Sequence, residues 1–500
     1  MRRPRRLHVP AALALVALGM TIPASAPAAA APAAWVVNEN AKPGTSAWRI
    51  RPGAPRDIQG YADHVSAVEG ARVKLYVDTT APTFHVVAFR LGYYQGLGGR
   101  RVWHSHDHAG IAQPAATTDP TTNMVETDWR RSMTFRIGPA WVQGSYLLKL
   151  VSSDDGQAYI PFVVRDDRST AALVIQHQVF TWEAYNDWGG ASLYRGGDGT
   201  FATRSRVVSF DRPYAGRGPA AMLRALPLIS LVEQDGMDVT YSTDLDLERR
   251  PGLLLQHRSL VTLNHDEYWS TGMRSAVESA RAAGVNMVNL GANAIYRHIR
   301  LEDSPLGADR RVVCYKIRSE DPLNGVHDAE VTVNWREAPL HDPESAVLGS
   351  MYACDRARNV DLVVTDPSAW VFAGTGLQPG DVIPGAIDDE YDRIFPGAPT
   401  PASVEVLAHS PIACHGSPSV ADATYYTASS GAGVVDLATL GWLQTLACGP
   451  PVSDVWCSVA ATTITRTVLT EAGKGPLGLA HPSTPNAASL GYQLTQPTNP

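Results

Sequence analysis

From Trp35 to about Asp166, apolar and polar residues alternate in short runs such as "ARVKLYVDTT", "TFHVVAFRLGYY", "SMTFRIG" and "GSYLLKLVSS", broken by Gly, Pro and Asp. A period of two puts one face of each run into a core. With turn residues at this spacing, it predicts an all-β sandwich over 35–166, immunoglobulin-like or lectin-like. After "VRDDRST" the pattern changes. Compact apolar runs ("AALVIQ", "MDVTYS", "SLVTLNH", "GVNMVNLGAN") alternate with helical segments ("GPAAMLRALPLISLVEQDG", "STGMRSAVESARAAG"). Strands alternating with helices predict parallel βαβ units and hence an α/β domain over 170–473. Strand-like runs return in a β-rich insertion near 301–385. Beyond Lys474 a stretch rich in Pro, Thr, Asn and Gly has no periodicity, and a weakly ordered tail is expected over 475–500.

Composition narrows the class. The start, "MRRPRRLHVPAALALVALGMTIPASAPAAA", has the charged, apolar and small-residue regions of a secretory signal peptide, with cleavage expected after Ala30. Its apolar core is shorter than the roughly 18 to 20 residues of a membrane span, and nothing later is longer, so no membrane span is expected. The formal charge of -7, with no basic block after the signal region, excludes a nucleic-acid partner. Export to the extracellular space or cell wall permits disulfides among the five cysteines. Cys448 with Cys457, across a turn-rich loop, is the first expected pair and Cys314 with Cys354 the second.

In an open parallel sheet, ligands gather at the carboxyl ends of the strands, where strand-to-helix loops and helix N-termini lie. The run "LVTLNHDEYWS" delivers Asn264, His265 and Glu267 to that edge. "NMVNLGAN" delivers Asn293 one unit later, and the first strand leads into Tyr185 and Tyr194. Taken singly, Ser270 and Thr271 read as helix N-caps, Glu267 as a helix-end carboxylate and the aromatic residues as packing. Together they read as a site.

The segments "WEAYNDWGGASLY", "SFDRPY", "NHDEYWS", "LGANAIYR", "GTGL" and "YYTASSGAG", spread over about 36–473, resemble the family of secreted bacterial proteins similar to the large (beta) subunit of N,N-dimethylformamidase. The resemblance implies a flavodoxin-like domain related to class I glutamine amidotransferases. It also implies a ferric ion held by two tyrosines and a glutamate, with a His and an Asn beside it. On this chain the metal ligands become Tyr185, Glu267 and a second tyrosine, Tyr214 of "DRPY" or Tyr194. The catalytic pair becomes His265 and Asn293. Asp266 stands where the amidase run has proline, and the spacing from the tyrosine segments to His265 is shorter. No strand-to-helix elbow carries a cysteine, so the thiol chemistry of the amidotransferases is not expected.

Such a site would act on a small-molecule or amide substrate by metal-assisted hydrolysis of a carbon–nitrogen bond, with a homo-oligomer or a small subunit as partners left open. Two rivals stand beside it: an exported binding or cell-surface protein without the chemistry, and a glycan-active hydrolase using Glu267 with Asp266. Two other clusters are weaker. His104, His106 and His108 alternate in "WHSHDHAG" and could face one side of a strand around zinc or copper. Asp389, Glu390 and Asp392 in "IDDEYDR" could bind Ca2+, or form a solvated acidic turn.

Overall fold

The computed structural model describes residues 32–453 and 456–497; the expected signal peptide lies outside them. Residues Pro32 to Pro500 form one compact unit. Its first part is a two-sheet sandwich. One sheet joins Ile58–Ala62, Arg72–Thr79 and Met133–Arg136; the other joins Ser66–Val68, Gln157–Arg165, Gly144–Ser152, Thr83–Leu91 and Gly99–His104. Alternation builds its core: Val73, Leu75 and Val77 point inward from one sheet to meet Val86, Leu148 and Ile160 of the other, while Arg72 and Lys74 face out. The outer face of the second sheet is buried too, because Phe89, Leu147 and Tyr159 pack into the core of the following region. A fully buried ion pair crosses the same seam, with Arg90 Nη2 2.6 Å from Glu233 Oε1.

That following region is organised by a seven-stranded sheet: β1 (Leu173–His177), β2 (Val239–Thr243), β3 (Ser259–Asn264), β4 (Asn286–Gly291), β5 (Glu405–Cys414), β6 (Ser417–Thr427) and β7 (Gly433–Asp436), in the order β2-β1-β3-β4-β7-β6-β5. Register decides which side chains share a face. Val174, Leu260, Met287 and Val434 lie abreast and pack against Met273, Val277 and Ala280 of the helix Thr271–Ala282. Ile175, Val261, Val288 and Val435 form the opposite face, under Ile229 and Val232 of the helix Leu226–Gln234 and Ile464 and Val468 of the helix Val459–Ala472.

The expectation of a flavodoxin-like parallel-sheet domain is not met. The sheet is mixed, since β6 runs antiparallel to both β7 and β5. Further sheets of two to four strands accompany it, and only 21% of the described residues are helical. A compact apolar run is satisfied by any strand buried on both faces, whichever way its neighbours run, so the runs of the second half could not distinguish a parallel sheet from a mixed one. The stretch after Lys474 also packs rather than trailing. Asn486 closes both backbone groups of Val406, accepting from its N–H at 2.7 Å and donating to its carbonyl at 3.0 Å, and Tyr492 donates to Asp422 at 2.6 Å. Side chains here do what a strand partner would, which leaves no periodic trace.

Two disulfides are present. Cys448–Cys457 is the expected short-loop pair. The second is Cys354–Cys414, with Cα atoms 5.9 Å apart, and Cys314 is left free. The expected Cys314–Cys354 pair fails because Cys314 is locked in the core beside Tyr268, whereas Cys354 lies on the long hairpin Met351–Val363/Val382–Arg393, which reaches the end of β5. No helix among the described residues is long and apolar enough to cross a membrane.

Candidate functional site

The carboxyl ends of β1, β3 and β4 converge on one rim. β3 and β4 are parallel neighbours, with Asn264 abreast of Gly291. A Cβ on Gly291 would meet the Asn264 carbonyl at 1.7 Å, so only glycine lets the strand ends approach this closely. The Ala292 N–H then donates to Asn264 O at 3.0 Å, and both chains turn through left-handed asparagines, Asn264 (φ 44) and Asn293 (φ 52). His265 and Asn293 are thereby brought together, with Nε2 and Nδ2 3.1 Å apart.

Glu267, 1% exposed, is the hub. Tyr185, at the end of the helix Val179–Tyr185, donates its hydroxyl to Oε2 at 2.9 Å. Tyr194 reaches back because the Leu193 N–H bonds Ala184 O, and its hydroxyl donates to the carboxylate, 2.8 Å from each oxygen. His265 Nε2 lies 3.3 Å from Oε2, and Arg297 Nε holds Oε1 at 3.2 Å. Behind Tyr194, Tyr268 donates to the Tyr194 hydroxyl at 2.8 Å and Lys316 donates to Tyr268 at 2.7 Å. On the cavity side Glu390, from the hairpin, meets His265 at 3.0 Å and accepts from Asn293 Nδ2 at 2.7 Å.

The charges are consistent with these contacts. Burial alone would raise the Glu267 carboxyl, but His265, Lys316 and Arg297 hold it below the usual range. Burial alone would lower His265, yet Glu390 and Glu267 raise it to about 9. Burial and the Glu267 charge keep the Tyr194 hydroxyl protonated. Two phenol oxygens and a carboxylate oxygen thus meet at Oε2. They form a set of hard donors whose phenolic protons a hard trivalent cation could displace, so these residues fit a ferric ion.

The predicted site residues divide accordingly. Tyr185, Glu267, His265 and Asn293 come together. Tyr214 does not join them: it lines the neighbouring cavity, makes no hydrogen bond to Glu267, and has Glu183 and Asp244 as its nearest influential acids. Tyr194, the alternative, is the tyrosine whose hydroxyl joins that of Tyr185 on Glu267. Asp266 is fully buried and accepts from Gln176 at 2.8 Å, while the Glu267 carboxylate is held by Tyr185, Tyr194 and Arg297. Asp389, Glu390 and Asp392 do not act as one cation site. Glu390 turns to His265 and Asn293, and Asp392 is buried, accepting from the Asn293 N–H at 2.8 Å. The rings of His106 and His108 are 4.3 Å apart, but His104 does not complete a site. Among the described residues, the His, Cys and acidic groups that converge as a trio are Cys354, Cys414 and His415, whose two sulfurs form a disulfide. Glu390 was legible only as a possible Ca2+ ligand, not as the partner of His265 and Asn293, and Arg297 and Lys316 were not singled out at all. An acidic run ending a strand was the available signal for Glu390.

The rim opens into a cavity of about 770 Å3, lined among others by Trp182, Tyr185, Tyr214, His265 and Glu390.

A family model described as "N,N-dimethylformamidase beta subunit-like, C-terminal" matches residues 85–454, which take in the later strands of the sandwich and the whole seven-stranded sheet. No curated protein matches. Among solved structures, a Paenibacillus sp. cycloisomaltooligosaccharide glucanotransferase complexed with cycloisomaltoheptaose aligns at 10% identity over 62% of each chain with a TM-score of 0.17. Cwp6 from Clostridium difficile aligns at 14% identity over 47% of this chain and 37% of its own, with a TM-score of 0.14. The chain therefore spans less than two thirds of either structure, and likenesses this slight carry no argument.

Proposed function

The chain belongs to the N,N-dimethylformamidase beta subunit-like, C-terminal family, and from that premise we propose that it is an exported, metal-assisted hydrolase of an amide carbon–nitrogen bond. The observation that carries the reading is the meeting of the Tyr185 and Tyr194 hydroxyls on Glu267, with His265 and Glu390 lining the cavity and Asn293 bonded to Glu390. Tyr185, Tyr194 and Glu267 would hold a ferric ion, whose chemistry is that of a Lewis acid polarising an amide carbonyl or activating water.

The chain's own residues supply the proton traffic. Hydrolysis adds water to the carbonyl carbon and breaks the C–N bond, so one proton must leave the water and one must reach the departing nitrogen. Glu390 is the base within reach and His265, 3.0 Å away, is the acid. Asn293 Nδ2 fixes the Glu390 carboxylate, and Arg297 fixes the far oxygen of Glu267. Both disulfides accord with export. The test is amine release from simple amides by iron-reconstituted protein. Release that depends on His265 and Glu390 supports the reading; none from any amide removes it.

A further inference from the structure

The cavity beside the site is far larger than N,N-dimethylformamide requires. That molecule has a handful of heavy atoms and no N–H, whereas about 770 Å3 lies in the range of roughly 300–1,000 Å3 that holds drug-sized ligands. Its lining is also unusual in its polar atoms. Gln178 follows β1 and Asn264 ends β3, each three residues beyond the Ile175–Val261 pair, and Trp182 stands one helical turn after Gln178. All three line the cavity and are at least nine-tenths buried, with exposures of 1%, 6% and 5%. Gln178 Nε2 is tied to Leu263 O at 3.2 Å, which orients its amide. Gln178 Oε1, Asn264 Nδ2 and Trp182 Nε1 have no hydrogen-bond partner among the described residues. Buried polar atoms are rarely left without partners, because each forfeits its hydration. Here one acceptor and two donors belong to residues that line the cavity, and one of these residues, Asn264, immediately precedes His265.

We propose that the cavity takes a peptide-like amide substrate that offers an N–H to Gln178 Oε1 and a carbonyl oxygen to Asn264 Nδ2 and Trp182 Nε1. The proposal rests on the hydrolase reading for its location but not for its test. A site built to hydrogen-bond an N–H rejects the analogue lacking it, because its own acceptor is then stranded. N,N-dialkylated amides are thus the poorer ligands of this chain.

Calorimetric binding of N-methylacetamide and of N,N-dimethylacetamide to the purified protein tests this without turnover. The N–H-bearing compound is expected to bind tighter by roughly tenfold or more. The preference should collapse in Gln178→Met, which removes the acceptor and keeps the side-chain length, whereas Trp182→Phe, which removes the indole N–H and keeps a ring, should weaken binding of both compounds alike. Melting curves check that both variants fold; if one does not, the other carries the comparison. Equal affinity for the two compounds, binding of neither, an unchanged preference in folded Gln178→Met, or unchanged affinities in folded Trp182→Phe would overturn the proposal. Preferential binding with no hydrolysis of any amide would leave it standing and remove the catalytic reading instead.

Discussion

The hydroxyl of Tyr194 lies 2.8 Å from both carboxylate oxygens of Glu267, a residue 73 positions further along the chain. The Tyr185 ring stacks on that of Tyr194 with centroids 4.4 Å apart and brings a second hydroxyl to Oε2. This grouping places three hard oxygen donors together. Tyr194→Phe should therefore weaken iron retention and shift or weaken any phenolate charge-transfer band, with an unchanged circular dichroism spectrum. Tyr214→Phe should leave the band where it is. The reverse ranking would return the second position to Tyr214.

Proton transfer assigned to His265 and Glu390 gives a separate expectation. His265→Ala and Glu390→Gln should each lower amide hydrolysis by roughly 10²- to 10⁴-fold while iron content stays near the parent value. Parallel loss of iron and activity would instead make them structural supports of Glu267.

That His265, Glu267 and Asn293 lie together was legible in the sequence, and the reason is local. His265 and Glu267 follow β3 directly, Asn293 follows β4, and adjacent parallel strands must present their ends together. The second tyrosine was ambiguous because residues 186–219 are mostly loop, held by contacts such as Leu193 N–H to Ala184 O that leave no periodic signature. Glu390 was hidden because it arrives on a hairpin about a hundred residues after Asn293, and no pattern within the run "IDDEYDR" reports its partner. The sandwich was legible from alternation in strands such as Arg72–Thr79. The flavodoxin-like reading failed at β5 and β6, whose antiparallel pairing depends on the chain that returns to them rather than on their own residues.

Asp321 links stability to pH. Burial alone would raise its carboxyl, but Arg300 at 2.9 Å, both the N–H and the hydroxyl of Thr332, and the Leu323 N–H hold it below the usual range. A depressed folded value means this contribution is present above the unfolded pKa of about 4 and is lost as pH falls through the lower folded value. Asp321→Ala should destabilise by about 1–3 kcal/mol at neutral pH. Its gap from the parent should narrow as denaturation is followed below about pH 4; a constant gap would show that packing, not charge, is what Asp321 contributes.

The Cys354–Cys414 bond closes a separation of 60 residues and ties the hairpin that carries Glu390 to β5. Replacing both cysteines with serine should lower stability by about 2–5 kcal/mol. If the bond also holds the hairpin in place, amide hydrolysis should fall in protein that is still folded at the assay temperature. Full activity in the double variant would show that Glu390 is positioned by the Asp392 and Asn293 contacts alone.

The most direct test of the metal centre is elemental analysis joined to a visible spectrum of the purified, iron-reconstituted protein. The account predicts stoichiometric iron and a visible phenolate-to-iron band that Tyr185→Phe weakens or shifts and that Glu267→Gln removes along with the metal, since a neutral amide is a poorer ligand for a trivalent ion than a carboxylate. A colourless protein that stays free of iron after reconstitution would contradict it.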